Sequence, residues 1–196
     1  MDKTDALLKL EDEIRNCRKC ELYKSRVKPL CHGGNPDAKV MIIGEAPGYH
    51  EDLCGRPFVG KAGKVLDKLL DSVGLSRDNT FITSIVKCRP PSNKDPTGEQ
   101  IRACKPFLER QMQIVRPRVI VPLGRFAGMF VFRKYNLEWK RISEVHGRVY
   151  SVESLVGSVR IVPLYHPSVA LYNPDMMNVL LDDFGAVGRC MKAIDS

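Results

Sequence analysis

The sequence predicts an α/β protein whose mostly parallel sheet is covered by helices on both faces. Short apolar runs typical of buried strands alternate with segments in which apolar residues recur at helical spacing. No low-complexity linker, repeat or change of composition divides the chain. We therefore expect residues 1–196 to form a single domain with enough chain to bury a real core.

The first half of the chain is predicted to form two helices and two strands. A helix with Leu7, Leu10 and Ile14 on its apolar side comes first. The apolar run 40–43 predicts a strand, and the loop 44–63 (GEAPGYHEDLCGRPFVGKAG) connects it to a second helix ending before Gly74. The β-branched run 81–86 predicts another buried strand.

The second half continues the alternation. A helix is predicted over 98–116, a strand over 119–124 and a helix through 126–132. Residues 147–163 predict a hairpin with its turn around 156–158, whose second arm is a fourth central strand. Asn173 and Pro174 fit the N-cap and first position of a closing helix.

The charge balance is basic. Lys and Arg outnumber Asp and Glu by 31 to 23, which gives a net charge of +8 and a pI near 9.2. A basic surface favours polyanions such as nucleic acid, although a solvated basic face explains the same balance. The sequence has no apolar run long enough to span a bilayer and no signal-peptide character, so we expect a soluble, cytoplasmic protein with no membrane partner.

Four of the seven cysteines are spaced like metal ligands. Cys17 and Cys20 form a C-x-x-C motif, Cys88 follows a predicted strand, and Cys104 lies on the next helix. The spacing alone leaves an iron-sulfur cluster and a zinc ion equally open, with unligated thiols as a third reading. We expect Cys31, Cys54 and Cys190 to be buried or incidental thiols, because they lack partners at ligand spacing.

Polar side chains follow three of the predicted strands. Glu45 follows the first strand, Ser84 lies near the end of the second, and His166 follows the last. In open parallel sheets, ligands bind outside the carboxyl ends of the strands. The loop after the first strand adds Phe58 as a stacking face, so we expect a flat, polar ligand here.

Six separated motifs carry a resemblance to a known family. They are GEAPGYHED, GRPFVGKAG, FITSIVKCRPP, the late pair Cys88 and Cys104, LGRFA, and YHPSVALYNP. In this order, and over nearly the whole chain, they resemble the iron-sulfur uracil-DNA glycosylases called family 4, of archaea and thermophilic bacteria. The resemblance implies a three-layer α/β/α sandwich around a short, mostly parallel sheet. It also implies a [4Fe-4S] cluster held by Cys17, Cys20, Cys88 and Cys104.

The resemblance implies hydrolysis of the N-glycosidic bond of uracil in DNA. No lysine lies in a motif that suggests a Schiff base, so we expect no strand cleavage. Phe58 would stack on the flipped base, and His166 would hydrogen-bond the uracil oxyanion. Glu45 would act on the sugar side of the bond, either by orienting a water or by favouring the sugar cation. Without the resemblance, Phe58 would be read as a core residue, His166 as structural and Glu45 as a helix-capping charge.

Further site residues follow from the same matches. Gly44 and Ala46 belong to the pocket loop, and Glu51 would lie near the C5 edge of uracil and exclude thymine. Leu171 is the expected wedge that fills the gap left by the flipped base, with Tyr172 as the alternative. Arg89, together with Lys61, Lys64 and Lys94, is expected to contact phosphates or else to be solvated. The expected partner is uracil-containing DNA, single- or double-stranded, bound by a monomer.

One departure from the family pattern concerns the substrate. Ser84 stands where the family usually has Asn, whose amide both donates to and accepts from uracil. A hydroxyl offers one proton, so the alternatives are a tolerated variant, weaker uracil binding, or another deaminated base such as hypoxanthine. Two other classes stay open at this point, a non-catalytic lesion-binding DNA protein and a zinc-stabilised nucleotide-binding module.

Overall fold

The computed structural model of the protein describes residues 2–31, 33–154 and 157–195. The predicted hairpin turn falls partly at Val156, outside the described residues. Within them, no helix is both long enough and apolar enough to cross a bilayer.

The strands form one mixed sheet in the order β2-β1-β3-β5-β4. The strands β2, β1, β3 and β5 run parallel to one another. β4 lies at one edge of the sheet and pairs antiparallel with β5. This arrangement confirms the predicted mostly parallel sheet. The strands are β1 (Val40–Gly44), β2 (Thr80–Ser84), β3 (Val119–Pro122), β4 (Tyr150–Ser154) and β5 (Gly157–Ile161).

Helices cover both faces of the sheet, so the predicted three-layer α/β/α arrangement is confirmed. Met41 and Ile43 of β1 are buried in one core, and Val40 and Ile42 in the other, because alternate strand residues point to opposite faces. The described helices are α1 (Lys3–Arg15), α2 (Tyr49–Cys54), α3 (Lys61–Asp71), α4 (Gly98–Val115), α5 (Arg125–Lys134), α6 (Ile142–Val145), α7 (Val169–Tyr172) and α8 (Met176–Asp195). The first core takes α4 and α5, and the second takes α3 and α8.

The register brings the ends of the central strands level. Gly44 of β1 pairs with Ser84 of β2, and a parallel bridge joins Leu123, just after β3, to Leu164. The residues that follow these positions therefore emerge at one edge of the sheet. They are the loop beginning at Glu45, the segment after Ser84, and the segment containing His166.

Several predicted boundaries are wrong: β3 ends at Pro122 instead of Gly124, the predicted loop 44–63 contains the helix α2, and the ends of β2 and α8 also differ. β2 ends at Ser84 instead of Val86, where the Ser84 hydroxyl donates to the Val86 carbonyl at 2.6 Å and closes a local turn. The closing helix α8 begins at Met176 instead of Pro174. There the Asn173 side chain accepts a hydrogen bond from the backbone N–H of Asp175, which forms a turn before the helix starts.

Candidate active site

A cavity of about 400 Å³ opens at the carboxyl ends of β1 and β2. Its size suits a single small ligand. Ser168, Thr83 and Lys94 contribute to its wall without having been predicted to bind the substrate. Every predicted substrate-binding residue lines it, namely Gly44, Glu45, Ala46, Glu51, Phe58, Ser84 and His166.

Phe58 forms one wall of the cavity in an unusual backbone conformation. Its φ is +52°, in the left-handed region that side-chain-bearing residues rarely adopt. Its ring stacks against the His166 ring, with centroids 5.5 Å apart and an interplanar angle of 27°. Gly63 is required beside it, because a Cβ there would lie 1.7 Å from the Phe58 carbonyl oxygen.

Two charged side chains hold the Phe58 turn in place. Glu51 Oε1 accepts hydrogen bonds from the backbone N–H groups of Val59 and Gly60, at 2.8 and 2.9 Å. Arg77 donates to the carbonyl oxygens of Pro57 and Phe58. Glu51 therefore braces the loop that carries Phe58, and its contact with the C5 edge of a base stays a prediction.

His166 is oriented by its own loop. Its Nδ1 accepts a hydrogen bond from the backbone N–H of Ser168 at 3.2 Å and lies 2.8 Å from the Ser168 hydroxyl oxygen. The proton of the neutral ring is therefore assigned to Nε2. Burial lowers the pKa of His166 to about 4, although the nearby Glu51 favours the protonated form. The ring is thus a neutral hydrogen-bond donor near pH 7.

Glu45 also lines the cavity and is half-buried. Burial is the main cause that raises its pKa to about 7, and the negative charge of Asp95 adds to this effect. Arg125 opposes it and forms an ion pair with Asp95 at 3.1 Å. A carboxyl group with a pKa near 7 is suited to accept a proton from water at neutral pH.

Ser84 lies at the floor of the cavity and is 2% exposed. Because its hydroxyl donates its proton to the Val86 carbonyl, the Ser84 oxygen faces a ligand only as an acceptor. It can therefore receive a hydrogen bond from a ring N–H group. A ring nitrogen with a lone pair would instead meet the lone pairs of Ser84.

The four spaced cysteines line a second cavity, beside α1 and α4. N–H groups donate to three of the sulfurs: from Lys19 to Cys17, from Arg26 to Cys88 and from Lys87 to Cys104. Such donors stabilise thiolate ligands, so the donor set fits a thiolate-bound centre. Among the described residues, no group of three or more His, Cys, Asp or Glu is arranged to hold a metal ion, so the fit rests on the chemistry of the four cysteines and not on a preformed site.

The remaining cysteines differ in exposure. Cys31 and Cys190 are buried and Cys54 is exposed, in accordance with the expectation of buried or incidental thiols.

The residues predicted to contact DNA lie at the surface near the cavity. Leu171 and Tyr172 are on α7, directly after the His166 loop, and are 43% and 88% exposed. The Arg89 side chain donates to Asn93 Oδ1 and its guanidinium lies over the Tyr49 ring, 5.2 Å from the centroid. Lys61 and Lys64 are exposed on the first turn of α3.

Comparison of the sequence with known proteins identifies its relatives. Residues 31–185 match the sequence model of the family described as the uracil DNA glycosylase superfamily. The chain is 46% identical to the Type-4 uracil-DNA glycosylase of Archaeoglobus fulgidus, over 90% of this chain and 89% of that protein. For the Type-4 enzymes of Saccharolobus solfataricus and Thermotoga maritima the identities are 44% and 36%, over 98% and 89% of this chain and 88% of each relative.

Proposed function

The chain belongs to the uracil DNA glycosylase superfamily, and we infer that it hydrolyses the N-glycosidic bond of uracil in DNA. The product is an abasic site, which makes the protein an enzyme of base-excision repair. The observation that carries this inference is the convergence of Phe58, Glu45 and His166 on one cavity that can hold a single small ligand. The two alternatives of another deaminated base and of a non-catalytic lesion-binding protein are not favoured by these relatives.

Binding begins with the extrusion of the uracil from the DNA stack. Phe58 then stacks on the ring, and the Ser84 oxygen accepts the hydrogen bond of uracil N3–H. Cytosine carries a lone pair at that nitrogen, so it is rejected by the same acceptor. Leu171 fills the space left by the base, and Arg89 contacts the DNA backbone of single- or double-stranded substrate.

The reaction separates charge across the site. As the C1′–N1 bond breaks, its electron pair goes to the base and the sugar becomes an oxocarbenium-like cation. The Nε2–H group of His166 donates to the developing oxyanion of uracil. The Glu45 carboxylate favours the cation and takes the proton of the water whose oxygen bonds to C1′.

We further propose that Cys17, Cys20, Cys88 and Cys104 hold a [4Fe-4S] cluster. Two observations support this proposal. All four cysteines line one cavity, and three of their sulfurs accept hydrogen bonds from N–H groups. When bound, the cluster ties the segment after α1 to α4 and to the loop after β2. No step of glycosidic hydrolysis passes through it. A zinc ion in the same site is the alternative, which the visible absorbance of the purified protein distinguishes.

Alkaline cleavage of labelled oligonucleotides tests the proposed activity. The parent protein is expected to excise uracil from single- and double-stranded DNA, and His166→Ala to lose at least a hundredfold in rate, as when an oxyanion donor is removed. His50→Ala, an exposed histidine outside the cavity wall, is the matched control.

Oligonucleotides with hypoxanthine or thymine and the variant Ser84→Asn complete the experiment. Absence of uracil excision by the parent, with activity on hypoxanthine or gained in Ser84→Asn, would refute the proposed substrate.

A further inference from the structure

A lysine is buried directly beneath the floor of the candidate active site. Lys87 follows β2 and is 1% exposed, and its Nζ lies 2.6 Å from Thr83 Oγ1, 2.6 Å from the Ser84 carbonyl oxygen and 2.7 Å from Gln111 Oε1. No carboxylate of the described residues pairs with it. A buried cation without an anionic partner is costly, so its retention needs a reason.

The hydrogen bonds hold this side chain in its charged form. The Ser84 carbonyl and the Gln111 amide oxygen can only accept, and Thr83 Oγ1 gives its own proton to Gln111 Oε1 at 3.0 Å. Three acceptors around one nitrogen match the three N–H donors of an ammonium group. The geometry thus favours a positive charge at the end of β2.

The charge is separated from the cavity by a single layer of protein. Thr83 and Ser84, which receive two of its three hydrogen bonds, both line the cavity. The opposite side of Lys87 faces the cysteines, since its backbone N–H donates to Cys104 Sγ and Cys88 is the next residue. Lys87 therefore links the floor of the base pocket to the thiolate site.

We propose that Lys87 is a positioning residue that fixes Ser84 and Thr83 and provides a positive field favouring negative charge on the departing base. The inference rests on the proposed glycosylase activity. In a buried, low-dielectric setting, an oriented charge acts on the electrons that move into the base as the C1′–N1 bond breaks. The ammonium keeps its protons throughout. As in the proposed hydrolysis, the electron pair of the bond goes to the base and the water oxygen bonds to C1′.

The competing role for the charge is to balance the thiolates of the metal site. The two roles differ in their dependence on the leaving group. If Lys87 acts on the departing base, its loss matters less for 5-fluorouracil, whose electron-withdrawing fluorine already stabilises the anion. If it serves only the thiolates or the fold, its loss slows excision of both bases equally.

The experiment measures single-turnover excision of uracil and of 5-fluorouracil from the same oligonucleotide, together with the visible absorbance of each protein. Lys87→Met removes the charge, and Lys87→Arg restores it. Gln111→Glu leaves Lys87 in place but puts a carboxylate against it and cancels its field. Lys105→Met, which removes an exposed charge from α4, is the control.

We expect Lys87→Met and Gln111→Glu to slow uracil excision by roughly ten- to a hundredfold, less than loss of a direct oxyanion donor. The slowing on 5-fluorouracil should be several-fold smaller, and Lys87→Arg should recover part of the rate. Equal slowing on both bases, or none, in Gln111→Glu would overturn the inference even where Lys87→Met loses its absorbance. Failure of the parent to excise uracil is a separate outcome that overturns the proposed function itself.

Discussion

Truncation of Glu51 should release the turn that carries Phe58. The carboxylate accepts two backbone N–H groups, and each hydrogen bond to a charged group contributes about 1.5–3 kcal/mol. Because Glu51 is half-buried and water replaces part of the interaction, we expect Glu51→Ala to lose roughly 2–4 kcal/mol. For a chain of this size that lowers Tm by roughly 4–16 °C.

The same change should weaken binding of the base. Without the brace, Phe58 is free to leave its left-handed conformation, which costs about 1–2 kcal/mol to maintain. A loss of about 1.4 kcal/mol in binding raises KM tenfold. Glu51→Gln keeps an oxygen acceptor in the same place and should retain most of both the stability and the affinity.

Thermal unfolding and the KM for a uracil oligonucleotide check this prediction. Glu99→Ala, which removes an exposed acid from the first turn of α4, controls for a general helix-terminus effect. The reasoning fails if Glu51→Gln is as damaging as Glu51→Ala, or if neither variant changes Tm or KM. Excision of thymine by Glu51→Ala would instead support the predicted role at the C5 edge.

Three further predictions concern other residues of the site. Burial favours the protonated form of Glu45, so its carboxylate is lost as pH falls through about 7; the excision rate should rise with pH across that value, and Glu45→Gln should flatten the rise. Leu171→Ala should slow excision from duplex DNA more than from single strands with little change in Tm, because the side chain is 43% exposed. Cys88→Ser should reduce visible absorbance and lower Tm if the four cysteines hold a cluster.

The fold was predictable because the central strands are buried on both faces. A run such as Val40–Gly44 is wholly buried, so its apolar character is visible in the sequence alone. The ends of the strands and helices were harder to predict, because side-chain hydrogen bonds determine them. The Ser84 hydroxyl ends β2 by a local hydrogen bond, and Asn173 closes a turn where a helix N-cap was predicted.

The residues that line the cavity were predictable because their motifs match a known family. The residues that hold them were not, because they act across the chain. Arg77 reaches a carbonyl nineteen positions away, and Lys87 reaches Gln111 across twenty-four. Ser168 was closer to detection, since it is two residues from His166, yet only the structure shows that its N–H group sets the tautomer.

Electrostatics distinguishes the resting site from the proposed transition state. Burial keeps the His166 ring uncharged near pH 7 and raises the pKa of Glu45 to about 7, so Glu45 becomes the reactive carboxylate as pH rises through that value. The nearby Glu51 favours a protonated His166, but burial outweighs it, and the neutral ring keeps Nε2–H free to donate. In the proposed reaction, negative charge develops beside this donor and positive charge beside Glu45 as the bond breaks. Both interactions therefore become stronger in the transition state than in the bound substrate, which is the condition for them to accelerate the reaction.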